Sequence, residues 1–298
     1  MAEGPGTALV TGSTGFLGSH LVDVLLEAGY RVRCLVRATS RLRWLEGKPV
    51  ELHEADLVGG DLTSAVVGVD LVFHFAALTR GSKHDLWAAN HEGTRALLTA
   101  CVNQGELSRF VFCSSQAAAG PSTAERPREE SDDPAPTSEY GRSKLAAEEE
   151  VLGHGDRFEV VVLRPAAAYG PRDADTLPYF QMAARGVMLV PGVRKRRLQL
   201  VHGHDVAEAA RLAAEREKAT GRTYFLAHPD VVTWGALAWN IGRAMGRRVL
   251  IVRLPSAVVR GAGAAAELFG GGRQPGQLDR RRARDLSEPA WTCRVDRA

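Results

Sequence analysis

Thr11-Gly12-Ser13-Thr14-Gly15-Phe16-Leu17-Gly18 stands between a short apolar run, Thr7–Val10, and a helical pattern, Ser19–Ala28. In that pattern Leu21, Leu25 and Ala28 share one face, and Gly29 is the expected stop. A glycine turn that leaves a strand and enters a helix is suited to hold phosphate. Gly12 permits the sharp turn, Gly15 lets backbone N–H groups approach a pyrophosphate, and Gly18 lets the helix lie close to the sheet. The spacing, Gly-x-x-Gly-x-x-Gly, is one residue longer than the simplest dinucleotide fingerprint. The strand before it and the helix after it set it apart from a ligand-free turn. Working outward, Val32–Val36, Leu71–Phe75, Phe110–Cys113 and Val160–Leu163 read as strands, and Asn90–Val102 and Glu139–Leu152 as helices. The alternation predicts an α/β fold, a doubly wound parallel sheet covered on both faces.

The 298 residues allow two domains or one large one. Lys and Arg number 38 against 35 Asp and Glu, a net charge of +3, too mild a surplus to point to nucleic acid. No apolar run is long enough for a membrane span, and Met1–Gly6 shows no signal-peptide pattern. Cys34, Cys101, Cys113 and Cys293 lack metal-ligand spacing, so no metal site is expected and reduced thiols in the cytoplasm are. A channel, a secreted disulfide scaffold and a zinc module are therefore poor readings. Gly120–Ser138 reads as a loop. Beyond Arg164 the alternation is lost among Pro165, Pro171, Pro178 and Pro191, where a substrate-facing region is expected to begin.

The end of the second strand bears on the cofactor. An Asp or Glu there would hold the ribose hydroxyls of NAD. Arg37 follows Val36 instead, with Arg41 and Arg43 close behind, and a guanidinium can accept the 2′-phosphate of NADP. NADP is the preferred expectation. NAD remains open, with Arg37 merely covering the adenine. Asp56 and Leu57 are placed at the adenine edge, although Asp56 reads equally as a turn former. Tyr140 and Lys144 lie one helical turn apart on one face, where an ammonium lowers the pKa of a phenol enough for proton transfer at a carbinol oxygen. Ser115, beyond the strand Phe110–Cys113, can hydrogen-bond a substrate oxygen as charge develops, with Ser114 beside it.

These residues carry a resemblance. Thr11–Gly18, Phe73-His74-Phe75-Ala76-Ala77, Asn90-x-x-Gly93-Thr94, Ser114-Ser115, Tyr140…Lys144 and Arg164-Pro165-x-x-x-Tyr169-Gly170-Pro171-Arg172-Asp173 look like the extended short-chain dehydrogenase/reductase family, the NAD-dependent epimerase/dehydratase superfamily. The likeness is collinear over about residues 7–210. It implies a Rossmann domain, residues 1–170, and a smaller substrate-binding lobe, residues 171–298, with about 199–227 returning to the core. It also implies catalysis by Ser115, Tyr140 and Lys144, with Asn90 as a supporting polar group. Gly12, Thr14, Gly15, Phe16, Leu17, Gly18, Ala76, Ala77, Thr79, Ser114, Tyr140, Lys144, Pro165 and Ala168 would line the cofactor. Ser115, Gln116 and Tyr169 would meet the substrate.

Departures from the family pattern narrow the expectation. Gln116 and alanines follow Ser115, where sugar-nucleotide 4,6-dehydratases of the family carry an acidic pair. Ala166, Ala167 and Ala168 fill the stretch in which many nucleotide-sugar epimerases place an Asn for the diphosphate. His204 stands where related segments have their first Asp, which makes Asp205 the expected N-cap of the next helix. Arg194–Arg197 reads as a solvated basic turn more readily than as a phosphate contact, and His74 and His202 as structural histidines. Cys113 reads as an inert buried thiol, and Ala257–Phe269 as a lid or a packed helix in equal measure. The expectation is an NADP-preferring oxidoreductase interconverting a secondary alcohol and a ketone, or reducing a conjugated carbonyl, on a small apolar substrate. The alternatives are a nucleotide-sugar epimerase with tightly held NAD and a non-catalytic dinucleotide-binding regulator. A homodimer is left open.

Overall fold

The strand that enters the glycine turn, Thr7–Thr11 (β1), is buried along its whole length, as a strand must be with neighbours on both edges and helices on both faces. The computed structural model describes residues 5–123, 125–192, 196–268, 278 and 280–297. The first half runs β1, α1 (Phe16–Glu27), β2 (Arg31–Val36), β3 (Val50–Glu54), α2 (Thr63–Val66), β4 (Leu71–His74), α3 (Lys83–Trp87), α4 (Gly93–Gln104), β5 (Arg109–Cys113), α5 (Gln116–Ala119), α6 (Glu139–Leu152) and β6 (Glu159–Pro165). The second half adds β7 (Ala167–Tyr169), α7 (Leu177–Ala184), β8 (Val187–Pro191), β9 (Arg197–Leu198), β10 (Leu200–His202), α8 (Gly203–Glu215) and β11 (Arg222–Leu226). It closes with β12 (Val232–Thr233), α9 (Trp234–Ala244), β13 (Leu250–Leu254), α10 (Ser256–Leu268), α11 (Arg280–Asp285) and β14 (Ala290–Trp291).

The main sheet has seven strands in the order β11-β6-β5-β4-β1-β2-β3, and every pairing in it is parallel. The strand order reverses between β1 and β4, so their carboxyl ends flank the crevice where open α/β sheets bind ligands. One face buries Ala8, Val10 and Phe73 beneath Leu21 and Leu25 of α1 and Val206, Ala207 and Ala210 of α8. The other buries Leu9, Val72, Phe110 and Phe112 beneath Leu97, Leu98, Ala147 and Val151 of α4 and α6. This is the doubly wound Rossmann arrangement.

Three local details differ from the sequence reading. Helix α1 begins at Phe16 rather than Ser19, because Gly15 itself is its N-cap. Helix α4 begins at Gly93 and is preceded by a wider π turn over Ala88–Glu92 that carries the buried Asn90. Helix α8 begins at Gly203, with His202 as its cap and Asp205 in its first turn, which corrects the expected cap at Asp205. A Cβ on Gly203 would stand 2.6 Å from the Phe16 ring, so the helix opens on the one residue that can nest against α1.

The smaller lobe is built on a parallel ribbon of β8 and β13. Its inner face packs Met188 and Val190 against Ala183 of α7 and Ala238 and Ile241 of α9. Strand β9 lies between β12 and β14. No helix among the described residues is long and apolar enough to cross a membrane. Among them, no group of three or more His, Cys, Asp or Glu could hold a metal ion.

Candidate active site

The glycine turn presents donors to the crevice. Gly12 sits at φ +69, and a Cβ there would come within 2.6 Å of Ala76 N, while a Cβ on Gly18 would lie 2.2 Å from Gly12 O. Gly15 meets only Gly12 O at 3.2 Å and is exposed. Its own N–H closes the turn by donating to Gly12 O at 2.9 Å. The donors left for a ligand are therefore the N–H groups of the first helical turn, from Phe16 onward, which have no intrahelical partner. No side chain caps α1 and no acid stands in its first turn, so this positive helix end is open to an anion.

The opposite wall, residues 76–79, is held by a buried relay. Thr94 Oγ1 donates to Asn90 O at 2.7 Å, so His74 Nε2 must be the donor in its 2.8 Å contact with Thr94 Oγ1. His74 Nδ1 then accepts from Thr11 Oγ1 at 2.7 Å, and Thr11 Oγ1 accepts from Ala76 N at 3.1 Å. Burial pushes the His74 pKa down to about 3, which keeps the ring neutral and the relay in one tautomer. Asn90 clamps the same wall: its Oδ1 accepts from Leu78 N at 2.7 Å, and its Nδ2 donates to Leu78 O at 2.9 Å and Ser143 Oγ at 3.0 Å. Both amide hydrogens are used, so Asn90 shapes the wall and α6 rather than offering a free donor.

Tyr140 and Lys144 emerge from one face of α6, whose start is capped by Ser138 through Gly141 N. Lys144 is fully buried. Its Nζ lies 4.0 Å over the Phe112 ring and has no hydrogen-bond partner among the described residues. A buried ammonium without a partner is costly, and vicinal hydroxyls of a nucleotide ribose would satisfy it. Burial lowers the Lys144 pKa to about 8, offset by the neighbouring Cys113 and Glu148. Burial also drives the Tyr140 phenol up to about 12, while Arg281 and a hydrogen bond with Ser115 pull it back. Ser115 caps α5, its Oγ accepting from Ala117 N at 3.1 Å, which leaves the hydroxyl hydrogen to donate. Ser114 turns the other way and donates to Glu148.

A family model, the NAD dependent epimerase/dehydratase family, matches residues 8–227. The chain belongs to that family. A putative dihydroflavonol 4-reductase of Synechocystis sp. is 35% identical over 240 residues, covering 77% of this chain and 70% of the relative. The ceramide reductase of Caulobacter vibrioides is 30% identical over 291 residues, covering 96% of this chain and 86% of that protein. Among solved structures, a UDP-glucuronic acid 4-epimerase from Bacillus cereus in complex with NAD superposes with a TM-score of 0.75 at 23% identity. That superposition covers 84% of this chain and 86% of the epimerase.

In this member of the NAD(P)-dependent epimerase/dehydratase superfamily, the remaining site candidates are spread around the crevice. Arg37 is exposed, with its N–H on Ser40 Oγ at 3.0 Å. Asp56 accepts from Val58 N at 3.0 Å and so forms its own loop turn, and Leu57 lies against Gly93. Ala77 and Thr79 are exposed on the wall that Asn90 holds. Pro165 ends β6, and Ala168 packs on the core beneath α1. Gln116 is buried with its Nε2 unpartnered among the described residues, whereas Tyr169 sets its ring edge-on to His202 at 5.4 Å.

Two features escaped the motif reading. Glu148 forms a buried ion pair with Arg164, 2.6 Å from Nη2 to Oε2, and accepts from Ser114. Its signal was the i, i+4 stripe Tyr140, Lys144, Glu148 on one helix face. The second is α11, which lays the Arg281 guanidinium 5.2 Å from the centre of the Tyr140 ring. Asp285 pairs with Arg281 at 3.3 Å. Asp175 receives Arg80 at 2.5 Å and Arg282 at 3.4 Å, tying the wall after β4, the lobe and α11 together. Arg194 and Lys195 of the basic run, and Phe269 at the end of the Ala257–Phe269 stretch, lie outside the described residues. Arg196 is not a solvated turn residue: it donates to Glu288 O at 2.7 Å and to Ser256 Oγ at 2.6 Å. Cys113 is buried, and its thiol is pushed up to about 11.

Proposed function

We propose that this chain is an NADP-preferring reductase or dehydrogenase acting on the carbonyl or secondary alcohol of a small, fairly apolar substrate. The observation that carries the catalytic assignment is the unpartnered, buried Lys144 one turn from Tyr140, at the carboxyl edge of β5. The dinucleotide would lie on the first-turn N–H groups of α1 and along the wall at 76–79, and its ribose would engage Lys144. When bound, it supplies the hydride acceptor or donor. Ser115 donates to the substrate oxygen and Tyr140 gives or takes the proton at that oxygen. Lys144 holds the ribose and favours the phenolate. Residues 1–170 serve as the dinucleotide unit and 171–298 as the substrate lobe, with α8 and β11 packed on the former.

The apolar reading rests on Ala166–Ala168, which offer a ligand only backbone donors, and on the reductases among the relatives. The NADP preference rests on Arg37 and on the absence of a carboxylate at the end of β2. A second reading, a nucleotide-sugar epimerase with tightly held NAD, is favoured by the superposed UDP-sugar enzyme. It is favoured too by Arg281, whose buried Nε has no partner among the described residues and could meet a phosphate. Calorimetric titration separates the two. The reductase reading expects NADPH to bind about ten- to a hundredfold tighter than NADH, with most of that preference lost in Arg37→Ala. It also expects UDP and dTDP to bind the loaded protein at about millimolar or weaker. Co-purified NAD together with micromolar UDP or dTDP binding would put the epimerase first.

A further inference from the structure

The charge of the smaller lobe is distributed unlike that of the rest of the chain. Residues 176–192 and 231–266 contain no Asp or Glu, although at the chain's average about six would stand there. The same stretches carry Arg185, Arg243, Arg247, Arg248, Arg253 and Arg260, all exposed. No ion pair engages any of the six among the described residues. Exposed arginines elsewhere divide: Arg95 pairs with Glu92 and Arg126 with Asp132, whereas Arg37 and Arg157 have no ion pair among the described residues.

Four of these cations, Arg185, Arg243, Arg247 and Arg248, surround uncovered apolar side chains at one end of the lobe. The hydrogen bond from Leu250 N to Gly186 O, 2.8 Å, joins the start of β13 to the start of β8. Arg185 and Arg248 therefore flank the paired Val187 and Leu250. Leu250 is 65% exposed and Leu189 44%, because the ribbon buries only its alternate residues against α7 and α9. A Cβ on Gly242 would meet the Val249 side chain at 2.8 Å, so the turn after α9 folds back beside its last residues. On that helix Trp239 is 54% exposed, with the Arg243 guanidinium 5.4 Å over its ring. Met245 is exposed in the turn itself.

An exposed Trp with Leu, Val and Met, ringed by unpaired arginines and free of carboxylates, suits the boundary between lipid headgroups and acyl chains. Trp favours that depth and arginines find lipid phosphates there. We propose that this end of the lobe docks on an anionic phospholipid bilayer. A nucleic acid would match the arginines but leave Leu250 and Leu189 in water, and an acidic protein offers no counterpart to a Trp at headgroup depth. The docking places the chain at a lipid surface, and it does not depend on the reaction the crevice performs.

Flotation of the full chain with vesicles tests it. The chain should rise with vesicles of mixed phosphatidylglycerol and phosphatidylcholine, stay behind with phosphatidylcholine alone, and be released as salt is raised. Reversing two arginines, Arg247→Glu with Arg248→Glu, should lower partitioning by at least about twenty-five-fold, from about fivefold per basic residue. Trp239→Ser should lower it through lost insertion. Unchanged thermal melting and dinucleotide binding would show that the variants remain folded. A blue shift of wild-type Trp fluorescence on mixed vesicles, absent in Trp239→Ser, would place that ring in the interface. The proposal is overturned if the wild type ignores anionic vesicles, or if both variants float as well as it does. A dimer dissociated by Leu250→Asp would likewise overturn it, by assigning the apolar end to a second copy of the chain.

Discussion

Replacing Arg281 by Met should move the pH profile of catalysis to the alkaline side by about one unit. Its guanidinium lies 5.2 Å from the centre of the Tyr140 ring. Two unit charges at that distance interact by about 3 kcal/mol at an effective dielectric of about 20. The Arg281 side chain keeps 24% of its exposure and is paired with Asp285, so about half of that reaches the phenolate, or about one pKa unit. The substitution also removes the Arg281 cation that pairs with Asp285, a carboxylate that itself raises the Tyr140 pKa, and this acts in the same direction. Losing the cation disfavours the phenolate, so Tyr140 keeps its proton to higher pH. When Tyr140 is the donor, activity falls off later as pH rises; when it is the base, activity appears later. Both limbs move the same way, whichever direction the reaction runs. Lys144, held down to about 8, titrates nearby but is untouched by the change, so its limb should stay in place. The assay is kcat/KM from neutral pH to about pH 12, the value to which burial drives the phenol, with Arg281→Lys as the charge-conserving control. A profile of Arg281→Met that coincides with wild type would refute the electrostatic argument, even if the rate itself had dropped.

Tyr140→Phe should keep dinucleotide affinity and lower turnover by about two to four orders of magnitude, read from steady-state rates beside calorimetry. Glu148→Ala should cost about 3–5 kcal/mol in denaturant unfolding by stranding the buried Arg164; a variant as stable as wild type would contradict the buried pairing. Gly18→Ala, which sets a methyl 2.2 Å from Gly12 O, should cost about 1–3 kcal/mol or more and abolish dinucleotide binding. Retained binding there would mean that the turn can relax without losing the cradle.

The parallel sheet and the glycine turn were legible because both depend on local order. The run Thr7–Val10, the turn Thr11–Gly18 and the helix stripe of Leu21 and Leu25 are contiguous, and Glu139–Leu152 matches its helix residue for residue. The start of α8 was misplaced because it is set by contact with Phe16, far away in the chain. Ser115 is preferred to its neighbour Ser114 at the strand end, but neither can be given a direction from the sequence. Only the fold turns one toward Glu148 and the other toward Tyr140. Asn90 was recognised as important, but its role in clamping Leu78 and Ser143 exists only once three segments meet. Arg281 carried no signal at all, since nothing in an arginine-rich tail says which guanidinium will stand over a tyrosine.

The position of α11 over Tyr140 also has a meaning in time. The sheet, the glycine turn and α6 can assemble largely as the first part of the chain leaves the ribosome, because most of their partners precede residue 166, the chief exceptions being α8, β11 and the turn between them. The roof of the crevice arrives much later. At about 5–20 residues per second, Arg281 is synthesised roughly 7–28 s after Tyr140. Until then the tyrosine stands without its guanidinium neighbour, and Asp175 can hold Arg80 but not Arg282. A nascent chain would therefore bind dinucleotide before it could finish the electrostatic setting of its own proton donor.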